Sequence, residues 1–99
     1  MRGREARLSL QAHTDLQEIW IFIAQDSDVA ADRFVDRILQ TCQKLARTPR
    51  MGRLREELAH GLRSHAFEKY LIFYRISKSG IEVARVLSGY RDIDTLFGL

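Results

Sequence analysis

From Ala6 to Leu10 apolar residues recur at every second position, with Ala6, Leu8 and Leu10 on one side and Glu5, Arg7 and Ser9 on the other. That period of two predicts a short edge strand over residues 4–10. A helix follows, for which Ser9 and Thr14 are both candidate N-caps, and Thr14 with Gln17 three residues on fits a capping box. Leu16, Ile19, Trp20 and Ile23 recur at i, i+3, i+4 and i+7, the stripe of an amphipathic helix. Ile21 and Phe22 widen that stripe beyond one face, so this helix is expected to bury two sides.

AspSerAsp at 26–28 interrupts the pattern and can cap a second helix. There Phe34, Ile38, Cys42 and Leu45 form one stripe, flanked by Val35, Leu39 and Ala46, and Pro49 ends it. So short a break joins the two helices as an antiparallel hairpin. From Leu62 onward the period becomes two. Tyr70, Ile72, Tyr74 and Ile76 alternate with Leu71, Phe73 and Arg75, LysSerGly at 78–80 turns the chain, and Ile81, Val83, Arg85 and Leu87 alternate in turn. A strand over Leu62–Ala66 can pair with this hairpin, and a last helical turn is expected between Arg91 and Leu99.

Helices early and antiparallel strands late predict an α+β fold, a helical hairpin packed on a small antiparallel sheet with a short C-terminal helical segment. Arg85 breaks the pattern, because it shares a strand phase with Ile81, Val83 and Leu87. It must be paired, snorkel to a sheet end, or enter a functional cleft.

Ninety-nine residues, 45% of them hydrophobic and 29% charged, fit a single domain over 1–99. The one cysteine, Cys42, lies on the apolar stripe and is expected in the core, where it is not a nucleophile. MetArgGlyArgGluAlaArgLeu at the start carries no apolar stretch, and the longest apolar run, Ile19 to Ala24, falls far short of the roughly 20 residues a bilayer requires. A cytoplasmic protein without a membrane segment is therefore expected.

The formal charge is +3, and of 16 basic residues three are lysine and 13 arginine. Arginine's planar fork suits carboxylates and phosphates, which points to nucleic acid or an acidic protein partner. Lys44, Arg47, Arg50, Arg53 and Arg55 crowd a loop that also holds Pro49 and Gly52. His13, His60 and His65 are scattered, and none is expected to form an i,i+4 ligand pair, so no metal site is predicted. No phosphate loop, GxGxxG or GxSxG motif occurs, and no cofactor is implied. Arg63, His65, Lys69, Tyr70, Tyr74, Arg75, Arg85 and Arg91 remain, a set that could bind phosphates, support acid–base chemistry, or form a solvated sheet edge.

GlyLeuArgSerHis at 61–65, TyrLeuIlePheTyrArgIle at 70–76 and ValAlaArgValLeuSerGlyTyrArgAspIleAspThrLeuPhe at 83–97 resemble the ParE toxins of the RelE/ParE superfamily. AlaHisThrAspLeuGlnGluIleTrpIlePheIleAla at 12–24, AlaAlaAspArgPheValAspArgIle at 30–38 and ThrProArgMetGlyArg at 48–53 extend the resemblance over nearly the whole chain. It implies the toxin of a type II toxin–antitoxin pair, neutralised by a ParD-like antitoxin and inhibiting DNA gyrase. The sister RelE branch implies the alternative, a ribosome-dependent mRNA endonuclease. Where RelE toxins carry a C-terminal Tyr this chain has Phe97, which lacks a hydroxyl for proton transfer, although Arg91 matches the RelE arginine. Tyr90, where such toxins more often have a small residue, and Tyr74 are the side chains that could substitute. No catalytic residue is assigned.

Contacts to the antitoxin are expected from Leu16, Trp20 and Ile23, through a groove of the kind that holds an amphipathic helix. Of Arg63, Arg85 and Arg91, at least one is expected to meet an antitoxin carboxylate, Arg63 and Arg85 being assigned to that surface, with internal pairing to Glu68, Glu82 or Asp92 as the structural alternative. Arg75, Tyr90, Arg91 and Asp92 form the expected target-binding set, and direct contact with nucleic acid is compatible with the arginine content.

Overall fold

The structure is a computed structural model and describes residues 4–89 and 93–97. Its elements run β1 (Glu5–Leu8), α1 (Leu10–Ala24), α2 (Asp28–Arg47), a 3-10 turn (Pro49–Met51), β2 (Arg53–Leu54), β3 (Arg63–Phe67), β4 (Tyr70–Ser77), β5 (Gly80–Ser88) and α3 (Ile93–Leu96). Capping chemistry sets the helix starts. Ser9 is the N-cap of α1, its Oγ accepting from the Ala12 N–H at 3.0 Å, and Ser27 caps α2 in the same way through Ala30. Thr14, the other candidate, lies inside α1 and donates its hydroxyl back to the Leu10 carbonyl. The Ser9 hydroxyl also donates to the Ala84 carbonyl at 2.8 Å, so one side chain caps a helix and ties it to β5. Ser9→Ala is expected to lower stability by about 1–2 kcal/mol, read by urea denaturation.

The five strands are ordered β1-β5-β4-β3-β2. Neighbours among β2 to β5 pair antiparallel, whereas β1 joins β5 in parallel, with Glu5 beside Gly80 and Leu8 beside Val83. The sheet is thus mixed: the path through both helices delivers the chain to β2 at the far edge, and the antiparallel run β2 to β5 then ends beside β1 in the same direction. Gly80 allows this closeness: its φ is +138°, and a Cβ there would run into the Glu5 backbone.

Two cores lie on opposite faces of the sheet. On the helical side Leu16, Ile19, Ile38, Cys42 and Leu45 pack against Ile72, Tyr74, Ile81, Val83 and Val86. On the other side Leu58, Leu62, Phe73 and Leu87 are buried, with Phe97 packed against them. Cys42 is a core residue, and burial pushes its thiol pKa up to about 12, which leaves it protonated and unreactive. A bulge on β5, where Phe73 faces Arg85 but Tyr74 faces Val83, resets the strand's phase. Val86 therefore joins Ile81 and Val83 on the helical side, and Leu87, expected with them, turns to the opposite core.

The expectation that α1 buries two sides is not met within the chain. Ile21 is 58% and Phe22 67% exposed, because α1 has the sheet and α2 on its inner flank and no element of the described residues on the outer one.

Among the described residues no helix is long and apolar enough to cross a membrane.

Candidate functional site: a groove beside α1 and a pinned basic turn

Arg85 finds its partner on α1. Its Nε and Nη2 donate to the two carboxylate oxygens of Asp15, each at 2.9 Å, and Asp15 Oδ2 also accepts from the Val86 N–H at 2.9 Å. The Asp15 side chain is 6% exposed and that of Arg85 21%, so this two-pronged pair works largely out of water. It exists because β1 ends at Leu8, which leaves the Val86 N–H on β5 without a strand neighbour where α1 crosses. Arg85 is accordingly paired, but with Asp15 rather than with any of the acids expected from sequence.

Asp15 lines a depression of about 460 Å³ with Glu18, Ile19, Phe22, Tyr70 and Val86. A second, of about 540 Å³, shares Phe22 and Tyr70 and continues over Ile23, Phe34 and Lys69. Phe34 stacks edge-on against both Phe67 and Tyr70, at 5.5 and 5.7 Å between centroids. The two form a groove beside α1 with an aromatic floor, an exposed Phe22 wall, Asp15 and Glu18 in the first depression and Glu68 and Lys69 in the second.

The expected contact residues fall in different relations to this groove. Ile23 lines it. Trp20 is half-buried and its Nε1 donates to Asp32 at 2.8 Å, which ties α1 to α2. Leu16 is 7% exposed and lies in the core, beneath the groove and away from its surface. Sequence reasoning missed Phe22, Phe34 and Tyr70 as lining residues, although the widened stripe at Ile21 and Phe22 was the available signal.

A second constellation sits at the opposite end of β3. The Tyr74 hydroxyl is buried, donates to the Pro49 carbonyl at 2.7 Å and accepts from the Gly52 N–H at 2.8 Å, pinning the turn after α2. Burial raises the pKa of that phenol, so it stays neutral. Arg63 Nη1 donates to the Gly52 carbonyl at 2.8 Å, and no carboxylate among the described residues pairs with its guanidinium. Of the loop's basic residues, Arg55 is bound by Glu57 and by the Ser64 hydroxyl. Arg75 is exposed and donates through Nε to the His60 carbonyl at 3.1 Å, anchoring the segment before β3. Tyr90, Arg91 and Asp92 lie outside the described residues.

One histidine departs from expectation. His60 pairs with Glu56 at i,i+4 spacing, Nδ1 to Oε1 at 3.2 Å, and the Gly61 N–H together with His60 holds Glu56 below the usual carboxylate range. The two close an exposed turn, and no group of three or more ligating side chains among the described residues could hold a metal ion. Tyr74 is committed to the turn, and Phe97 packs tilted against Phe73, ring centroids 5.0 Å apart and planes at 59°.

Comparison with known proteins agrees with this architecture. Toxin ParE1 of Caulobacter vibrioides is 36% identical over 83 residues, covering 82% of this chain and 84% of that protein. Toxin ParE1 of Mycobacterium tuberculosis is 32% identical over 89 residues, covering 88% and 91%. A solved chain titled as the chromosomal ParDE TA system from P. aeruginosa superposes with a TM-score of 0.72 at 18% identity, covering 87% of this chain and 96% of that one, and so shares the fold. The model for the ParE toxin of the type II toxin–antitoxin system parDE matches residues 6–93, from β1 through both helices and the whole antiparallel part of the sheet to the start of α3, and this chain belongs to that toxin family.

Proposed function

We propose that this chain is a cytoplasmic toxin that inhibits DNA gyrase without itself cleaving RNA, and that a ParD-like antitoxin neutralises it by seating an amphipathic helix in the groove beside α1. Phe97 carries the non-nucleolytic reading: its partly buried ring packs against Phe73 and has no hydroxyl to give or take a proton. Tyr74 is no substitute, since both hydrogen-bonding roles of its hydroxyl are used on Pro49 and Gly52.

The test adds the purified chain to gyrase in a supercoiling assay and, separately, to translating ribosomes. Loss of supercoiling with intact mRNA is the expected outcome, and Phe97→Tyr should leave it unchanged. Specific mRNA cuts with normal supercoiling would promote the nuclease alternative.

For the antitoxin, Phe22 and Ile23 line the groove, Trp20 lies one turn before Ile23 on α1, and the aromatic floor supplies the apolar area that an inserted helix face requires. Because Phe22 is mostly exposed, Phe22→Asp is expected to change stability by no more than about 0.5 kcal/mol. The same change should abolish rescue of growth by the co-expressed antitoxin. Full rescue by the antitoxin would move its site elsewhere.

A further inference from the structure

We propose that the trough between α2 and the uncovered end of β3 binds the phosphodiester backbone of a nucleic-acid duplex through Lys44, Arg47, Arg50 and Arg63. The inference goes beyond the gyrase reading and does not rest on it, because it concerns what the isolated chain binds.

Strand register places the trough. Arg63, His65 and Phe67 stand opposite Tyr74, Ile72 and Tyr70, which pack in the helical-side core, so these three β3 residues share that face. α2 runs alongside them. Arg37 lies 5.1 Å over the Phe67 ring, burial and then the charge of Lys44 disfavour protonation of His65, and the turn after α2 takes the hydrogen bond from Arg63. β2 has only two residues and pairs with Arg63 and Ser64, so the His65–Phe67 edge has no further strand neighbour among the described residues.

Charge is unbalanced along this line. None of Lys44, Arg47, Arg50 and Arg63 meets a carboxylate among the described residues, whereas Arg37 at the far end is neutralised by Glu68 at 3.0 Å. Arg53 does not belong to the row: it stands opposite Ser64, whose β4 neighbour Phe73 lies in the other core, and it acts on Glu57. Lys44 and Arg47 also suit the negative end of the α2 dipole, but Arg50 and Arg63 lie beyond that helix and have no such role. The turn is held rigid by Tyr74 and Arg63, so ordering it costs a ligand little.

The ligand class follows from what the trough offers. A single strand would be held by bases stacked on free aromatic faces, and here Phe67 is covered by Phe34 and Arg37 while Tyr74 is buried. The centre of a protein interface is depleted in charge, and here four cations make up the centre. A row of unpaired cations without base-reading partners fits phosphates of a duplex, bound irrespective of sequence.

The test is fluorescence anisotropy of the full chain with labelled DNA and RNA duplexes of scrambled sequence, between about 50 and 200 mM salt. Binding is expected to both, with a log–log salt slope of about −3 to −4 for four phosphate contacts. Arg47→Ala and Arg50→Ala should each flatten that slope by about 1 with an unchanged thermal melt, and Arg50→Gln provides a second variant if Arg50→Ala folds poorly. Arg7→Ala, which removes the same charge from β1 at the opposite edge of the sheet, should leave the slope as it was. The proposal is overturned if no duplex binds at the lowest salt, if Arg7→Ala matches Arg50→Ala, or if affinity depends strongly on sequence. Polyglutamate displacing the duplex at lower charge concentration would also overturn it and identify an acidic protein segment as the occupant.

Discussion

Asp15→Ala is expected to destabilise the chain by about 3–5 kcal/mol, the loss characteristic of one partner removed from a buried ion pair. The carboxylate accepts three hydrogen bonds, two from Arg85 and one from the Val86 N–H, and its removal strands both donors in a place that water barely reaches. For a domain whose whole stability is on the order of 5–15 kcal/mol, that is a large share. Asp15→Asn keeps the shape and one acceptor oxygen, so it should cost less. Arg85→Ala should fall between them, since the surviving carboxylate still holds Val86. Urea denaturation of the three variants checks the ranking, and an Asp15→Ala protein as stable as the parent would show that the pair adds little.

The second large effect is expected at Gly52. A Cβ there would overlap the Tyr74 hydroxyl and ring, and neither can yield easily, since Tyr74 is fully buried and its hydroxyl is bonded on both sides. Gly52→Ala should therefore cost about 1–3 kcal/mol through overpacking. Tyr74→Phe should cost a similar amount for a different reason, since it removes the hydroxyl and leaves the Gly52 N–H and the Pro49 carbonyl unsatisfied. The double variant separates the two causes: with the hydroxyl gone, the tightest of the overlaps with the alanine methyl is relieved while those with the ring carbons remain, so the combined loss should be somewhat smaller than the sum of the single losses. Strict additivity, measured by chemical denaturation, would mean that the turn does not depend on this contact.

Local chemistry carried most of the fold in the sequence. Ser27 after the α1 stripe, Pro49 after α2 and the alternation from Tyr70 to Leu87 each specify an element without reference to distant residues. What could not be read lies between residues far apart in the chain. The partner of Arg85 is 70 positions away, and its only local trace is that Asp15 occupies the buried phase of α1, with Ala12, Leu16 and Ile19. The bulge that sends Leu87 to the second core is likewise invisible in an unbroken alternation. The site was legible in type but less so in detail: Ile23 was found from periodicity, whereas the aromatic floor at Phe34 and Tyr70 comes together only when β4 packs under α2. Among the basic residues, sequence shows how many there are, and only the pairing of strands shows which of them are left without an acid.

The parallel pairing of β1 with β5 has a consequence for how the chain reaches this state. Among the described strands the first to be synthesised has as its partner the last, and the Ser9–Ala84 bond spans 75 residues. Until Gly80–Val83 has been synthesised, β1 has no ladder and the start of α1 no anchor on the sheet, although the helical hairpin and its caps are local enough to form early. Closure of the sheet is therefore a late event whose rate is governed by bringing distant segments together. During that interval the apolar inner faces of both helices are open, and surface of this kind makes an incompletely closed chain prone to aggregation.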